Sequence, residues 1–126
     1  MVKEDNMNSS ITRFTLDLQK QDSMEYVSVR KGDTKRGVCV MLTESGTPYS
    51  ITAGTNAVLA AQKPDGAYIY ESCTVEDNRI TAVLPSSFTA AAGKLRACIR
   101  LTGSEAAITS PPFTIIVDEP AAPAQT

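Results

Sequence analysis

The chain contains no histidine and no tryptophan. Without His there is no Ser-His-Asp or Cys-His nucleophile, no His-bearing zinc site and no ordinary proton shuttle near neutral pH. Acid–base chemistry would fall to carboxylates, Lys, Tyr or Cys. Cysteine is scarce: Cys39, Cys73 and Cys98 are odd in number, widely spaced and free of any CxxC pair. That spacing argues against a zinc ribbon or a redox motif. Long apolar runs are also missing. The strongest span about five to seven residues, against the roughly 20 that a membrane helix needs. Met1-Val2-Lys3-Glu4-Asp5-Asn6 lacks the apolar core of a signal peptide. Neither sign of charge dominates, with 12 basic and 14 acidic residues, and no basic stripe marks a nucleic-acid footprint. Neither nucleic acid nor a membrane is expected as partner, and no cofactor or metal is expected. Folding in a cytoplasm is expected.

What the chain does have is period-2 patterning between turn signals. Its 126 residues suffice for one domain, which at that size buries roughly two thirds of its unfolded surface without staples. Residues 1–10 are polar and unpatterned and read as a flexible arm. From Ile11 to Leu18, Phe14, Leu16 and Leu18 face one way and Arg13, Thr15 and Asp17 the other, as in a half-buried strand. Val27 and Val29 face inward on a short strand over 26–30. Residues 38–42 are apolar on both faces, Tyr49 to Thr52 reads as a short edge strand, and 57–61 is another apolar run.

Lys63-Pro64-Asp65-Gly66 is a hairpin signal: Pro presets the first central residue and Gly takes the positive φ. A strand is expected from Ala67 to Glu76, a second hairpin at Asp77-Asn78, and a return strand to Leu84. Residues 85–92 predict one helical turn, capped by Ser86 or Ser87 and ended by Gly93 as its C′ residue. Lys94 to Thr102 alternates most cleanly, with Leu95, Ala97, Ile99 and Leu101 inward. A final β segment over 106–117 is broken at Ser110-Pro111-Pro112, which implies a bulge or an edge. Residues 119–126 form a Pro/Ala-rich tail. Eight or nine short strands at spacings of about ten residues, with one short helical turn, define an all-β, antiparallel sandwich over 11–118. Strand parity sets Cys73 on an apolar face and Cys98 on a polar one, so all three cysteines read as reduced thiols.

The order of these signals carries a resemblance. A short strand ends at Lys31-Gly32-Asp33, then come an apolar run and Lys63-Pro64-Asp65-Gly66. A hairpin ends in Leu84-Pro85, Ala92-Gly93-Lys94 opens an amphipathic strand, and Phe113-Thr114-Ile115-Ile116-Val117 follows. This resembles the immunoglobulin-like N-terminal domain of phage upper baseplate proteins, found in phages and prophages of Gram-positive bacteria, over about 11 to 118. The resemblance implies a non-enzymatic, immunoglobulin-like structural domain of the virion that docks onto other phage structural proteins, as a symmetric homo-oligomer in the assembled particle. Members typically anchor a longer protein whose C-terminal part holds receptor-binding proteins. Here a Pro/Ala tail stands in that place, so the chain is expected to be either a fragment or a lone domain with another virion role, such as capsid decoration.

Candidate sites remain few. Asp17, Asp33, Asp65, Glu71, Glu76 and Asp77 are scattered carboxylates. A pair in a cleft could hydrolyse a glycoside, but turns and solvated strand faces account for them. Glu76-Asp77-Asn78 reads as a turn rather than a calcium loop. Arg30, Lys31, Lys35 and Arg36 read as a solvated loop beside Asp33. Arg96 and Arg100 share an outward face with Cys98 between them, and Arg is enriched at protein interfaces. Tyr68 and Tyr70 share a face beside the Pro64 turn. They serve either cross-strand packing or a platform for sugars, which is the carbohydrate-module alternative: recognition of host cell-surface glycans.

Overall fold

The computed structural model describes residues 11–104 and 107–119, and the expected N-terminal arm and most of the C-terminal tail lie outside them. Eleven strands and one helical turn follow one another in this region. They are β1 (Ile11–Asp17), β2 (Tyr26–Arg30), β3 (Gly37–Glu44), β4 (Thr47–Pro48), β5 (Asn56–Gln62), β6 (Tyr68–Ser72), β7 (Thr74–Glu76), β8 (Arg79–Val83), α1 (Ser86–Thr89), β9 (Gly93–Thr102), β10 (Ala107–Thr109) and β11 (Phe113–Asp118). They form two sheets. The first runs β1-β3-β8-β7, with β4 beside β3; the second runs β2-β11-β9-β5-β6, with β10 beside β9.

The alternating pattern places the core between the sheets. Phe14, Leu16, Val38, Val40, Leu42, Ile80 and Ala82 come from the first sheet, and Val27, Val29, Leu59, Leu95, Ile99, Ile115 and Val117 from the second. Phe14 and Phe113 bridge the layers edge to face, with ring centroids 5.0 Å apart. The result is an all-β sandwich with a small helical turn. Most pairings are antiparallel, but β1 lies parallel to β3, and β2 lies parallel to β11. Both parallel partners are edge strands whose connections lead away to the other sheet, so no hairpin constrains their direction.

Four local expectations are corrected. First, the strand expected over 67–76 breaks at Cys73: β6 belongs to the second sheet and β7 to the first. The chain bends across the side of the sandwich, pinned where the Cys73 N–H donates to Ala57 O at 2.9 Å. Second, Tyr49 to Thr52 is not a strand. Pro48 lacks a ladder donor, the Tyr49 N–H makes a last bond to Leu42 O, and Tyr49 and Ile51 then pack against the core.

Third, neither Ser86 nor Ser87 caps the helix. Both lie inside it, the cap position is held by Pro85 in an extended conformation, and no side chain bonds the first turn. Fourth, Gly93 is not the residue that ends the helix. The helix closes at Ala90 in right-handed geometry, and Gly93 opens β9 with φ 141°. A Cβ there would lie 2.6 Å from Cγ of Pro64, so the glycine answers a close approach as well as its backbone angle. The two strongest turn signals of the sequence therefore meet in space.

The proline break at 110–112 forms a bulge inside the second sheet. β10 and β11 both lie along β9, and β2 covers the far side of β11. Ser110 N–H donates to Ile99 O, and the Ile99 N–H donates to Ser110 Oγ, each at 2.9 Å. The hydroxyl stands in for a ladder carbonyl, which keeps this buried backbone satisfied.

Candidate functional site

Strand β9 organises one broad surface. Its inward residues fill the core, so Lys94, Arg96, Cys98, Arg100 and Thr102 point outward by parity. On one flank, Gln62, Ala60 and Val58 of β5 stand opposite Arg96, Cys98 and Arg100. Beyond them, Tyr68, Tyr70 and Ser72 of β6 stand opposite the same three β5 residues. On the other flank, Thr114 stands opposite Arg96, and Tyr26 opposite Thr114. One row across the sheet is therefore Tyr26, Thr114, Arg96, Gln62, Tyr68, about 19 Å long at ordinary strand spacing. The two sequence candidates, Arg96 with Arg100 and Tyr68 with Tyr70, belong to a single surface.

The tyrosines are not packing residues of the core: Tyr68 is 62% and Tyr70 61% exposed. Edge position explains this, since β6 has no outer neighbour among the described residues. Tyr26, 57% exposed, extends the surface and was missed in the sequence. Its signal was its outward parity beside Val27 and Val29. Between the columns, small Ala60 leaves a shallow depression of about 210 Å³ lined by Gln62, Tyr68, Arg96, Cys98 and Pro112.

The one acid that β11 adds to this face, Asp118, lies at the strand's end beyond the Ile116–Lys94 pair. Among the described residues the ion pairs are Lys31–Glu119, Arg36–Asp33 and Arg79–Glu76; Arg96 and Arg100 enter none. Cys98 between them is half-buried rather than exposed. Burial raises its pKa, with Arg100 and Arg96 pulling it back. Burial also pushes Cys73 up to about 11. Cys73 too is only half-covered, because the chain leaves the sheet there. All three cysteines are unpaired. Thiols with raised pKa values are weak nucleophiles at neutral pH.

Asp17, Asp33, Asp65 and Glu76 have structural partners, Glu76 in an ion pair with Arg79. Asp65 accepts from Ala67 N at 2.9 Å, in a turn closed by Gly66 N to Lys63 O, with Gly66 at φ 92°. Asp77 alone of its hairpin pair takes positive φ, 58°, and the Asn78 side chain donates to Leu42 O. Asp33 accepts from Arg30 N. Asp17 gathers the most: the N–H groups of Gln19, Ser45 and Gly46, and the Thr43 hydroxyl. The Gln19 and Gly46 donors chiefly hold its pKa at about 2 against an ordinary 3.8, with burial acting the other way. Among the described residues, no three Cys, Asp or Glu side chains converge as a metal site requires.

The described residues thus form a two-sheet sandwich with arginines and tyrosines on the outer face of one sheet. The match to known families is specific: residues 10–123 fit the BppU N-terminal domain, the N-terminal domain of the baseplate upper protein. The chain belongs to this family, a structural domain of the phage baseplate. A baseplate domain is a virion component that associates with other phage proteins. Among solved structures, the N-terminal domain of phage TP901-1 ORF48 superposes with a TM-score of 0.66 at 13% identity, over 86% of this chain and 98% of that one. At that identity the likeness shows the fold. No curated protein sequence matches the chain significantly. No helix among the described residues is long and apolar enough to cross a membrane.

Proposed function

We propose that the chain is a non-enzymatic building block of a phage tail baseplate, made in the bacterial cytoplasm and docked onto other virion proteins as one of several symmetric copies. The observation that supports this most is the family match, which spans the whole described sandwich. The same reading accounts for carboxylates committed to turns and corners and for thiols with raised pKa values. Repeated subunits around a tail axis need broad contact surfaces rather than a cleft, and the second sheet offers one. The test is mass spectrometry of purified particles combined with immunogold labelling. Gold at the tail tip is expected. Gold on the head would move the domain to capsid decoration, and absence from particles would remove the structural role.

A second reading keeps one observation in its favour. Tyr68 and Tyr70 are exposed side by side on an edge strand, as aromatics of a sugar platform would be. A glycan array of cell-wall oligosaccharides separates the two.

A further inference from the structure

The outer face of the second sheet concentrates positive charge along a single strand, β9. The chain as a whole is slightly acidic, with a net charge of −2. Yet β9 presents Lys94, Arg96 and Arg100 in line, and no acidic residue stands opposite them on β5, β10 or β11. Their cross-strand neighbours are Gln62, Val58, Thr114, Thr109 and Ile116. Among the described residues neither Arg96 nor Arg100 has an ion-pair partner. An unsatisfied guanidinium fork suits bidentate capture of a carboxylate. Flanking tyrosines, with the depression over Ala60 between, supply the aromatic and apolar contacts that accompany Arg at interface centres.

We propose that this face is the docking surface for an acidic, extended segment of a partner protein, lying along β9. The inference rests on the baseplate reading and names the chemistry of its contact. The geometry sets the partner's pattern. Arg96 and Arg100 are four residues apart on one strand, hence about 13 Å. An extended segment matches that spacing with carboxylates at i and i+4 on one face. Small or apolar side chains at i+2 would then sit over Cys98 and Ala60. Tyr68 and Tyr70 bound the groove on one side and Tyr26 on the other.

The probe is a synthetic peptide, Ser-Glu-Thr-Val-Thr-Glu-Ser, titrated into the isotope-labelled chain and followed by NMR. Shifts are expected in Lys94–Thr102 and Tyr68–Ser72. Binding should weaken at least tenfold for the peptide with both Glu replaced by Gln, for the R96Q/R100Q chain, and in about 0.5 M salt, where charges at contact distance are screened. Both arginines are exposed, so an unchanged urea midpoint for R96Q/R100Q verifies that its fold is intact. Shifts elsewhere, no shifts, or equal binding of the Gln peptide overturn the proposal. So do shifts at Tyr68 and Tyr70 caused by cell-wall oligosaccharides and not by the peptide. Particle composition is read separately. If the wild-type chain is in virions and the peptide fails, the face is wrong and the baseplate role stands. If the chain is absent from virions, the baseplate role falls and the titration still decides the face.

Discussion

At one end of the sandwich, Pro64 lies against Gly93 and the ring of Phe88 is sealed beneath α1, 1% exposed. Thr89 Oγ1 donates to Asp33 O, and Gly32 N donates to Thr89 O. At the other end, the Asp17 carboxylate gathers three backbone N–H groups from the loops that leave β1 and β3, and the Thr43 hydroxyl of β3 itself. Strand β3 separates them: Gly37 pairs with Val83, which leads into α1, and Thr43 pairs with Asp17. The first closure rests chiefly on shape and on hydrogen bonds between neutral groups, with the Asp33 carboxylate beside them accepting from Arg30 N and facing Arg36. The second gathers around a carboxylate and is strongest while that group is ionised.

Breaking the shape-closed end should cost most. Phe88→Ala empties a fully buried site and should lose about 3–5 kcal/mol, read from urea midpoints. A loss under 1 kcal/mol would mean that α1 is a lid of no consequence. Gly93→Val should lose about 2–4 kcal/mol, combining overpacking against Pro64 with a backbone angle hostile to a β-branched residue. The contact itself is isolated by a double-mutant cycle: Gly93→Ala should cost measurably less in a Pro64→Ala background. If the two costs add, Pro64 is not the obstacle. Gly66→Val should lose less, about 1–2 kcal/mol, because φ 92° is unfavourable but a Cβ there meets open space.

The smallest effect belongs to the charge-closed end, and pH reveals it. The folded-state pKa of Asp17 lies at about 2, below its ordinary 3.8. Its stabilisation is therefore complete above the unfolded value and is lost as pH falls through about 2. The gap in urea midpoint between wild type and Asp17→Asn should be constant above about pH 5 and close between about pH 4 and pH 2. Phe88→Ala should keep its full deficit across that range. A pH-independent Asp17→Asn deficit would mean that hydrogen bonding, not charge, closes this end.

These two ends also mark how far the sequence could be read. Period-2 alternation placed the inward faces of β1, β2, β8 and β9, because each depends only on neighbours in the chain. Pro64-Asp65-Gly66 is equally local. The Gly93 contact was not legible, since nothing in Ala92-Gly93-Lys94 says that Pro64 lies above it. Asp17 looked like any strand-end carboxylate; its donors at 43–46 become neighbours only once β1 pairs with β3. The parallel direction of that pairing, and the change of sheet at Cys73, are likewise decided by packing across the sandwich. For the candidate surface, the arginines and two tyrosines were legible singly. That they share a face follows from the register of β9, β5 and β6.

The parallel seam between β2 and β11 sets a clock. The Ser28 hydroxyl donates diagonally across it to the Asp118 carboxylate, 90 residues away in the chain. At ordinary translation rates β2 emerges from the ribosome roughly 5–20 s before its partner exists. During that interval Val27 and Val29 lack the strand they pair beside, whereas β9 is followed closely by β11. The nascent chain is thus committed to waiting, with sticky backbone open to other nascent copies and to chaperones. Phe113–Asp118 completes the second sheet by entering between β2, made long before it, and β9, made just before it.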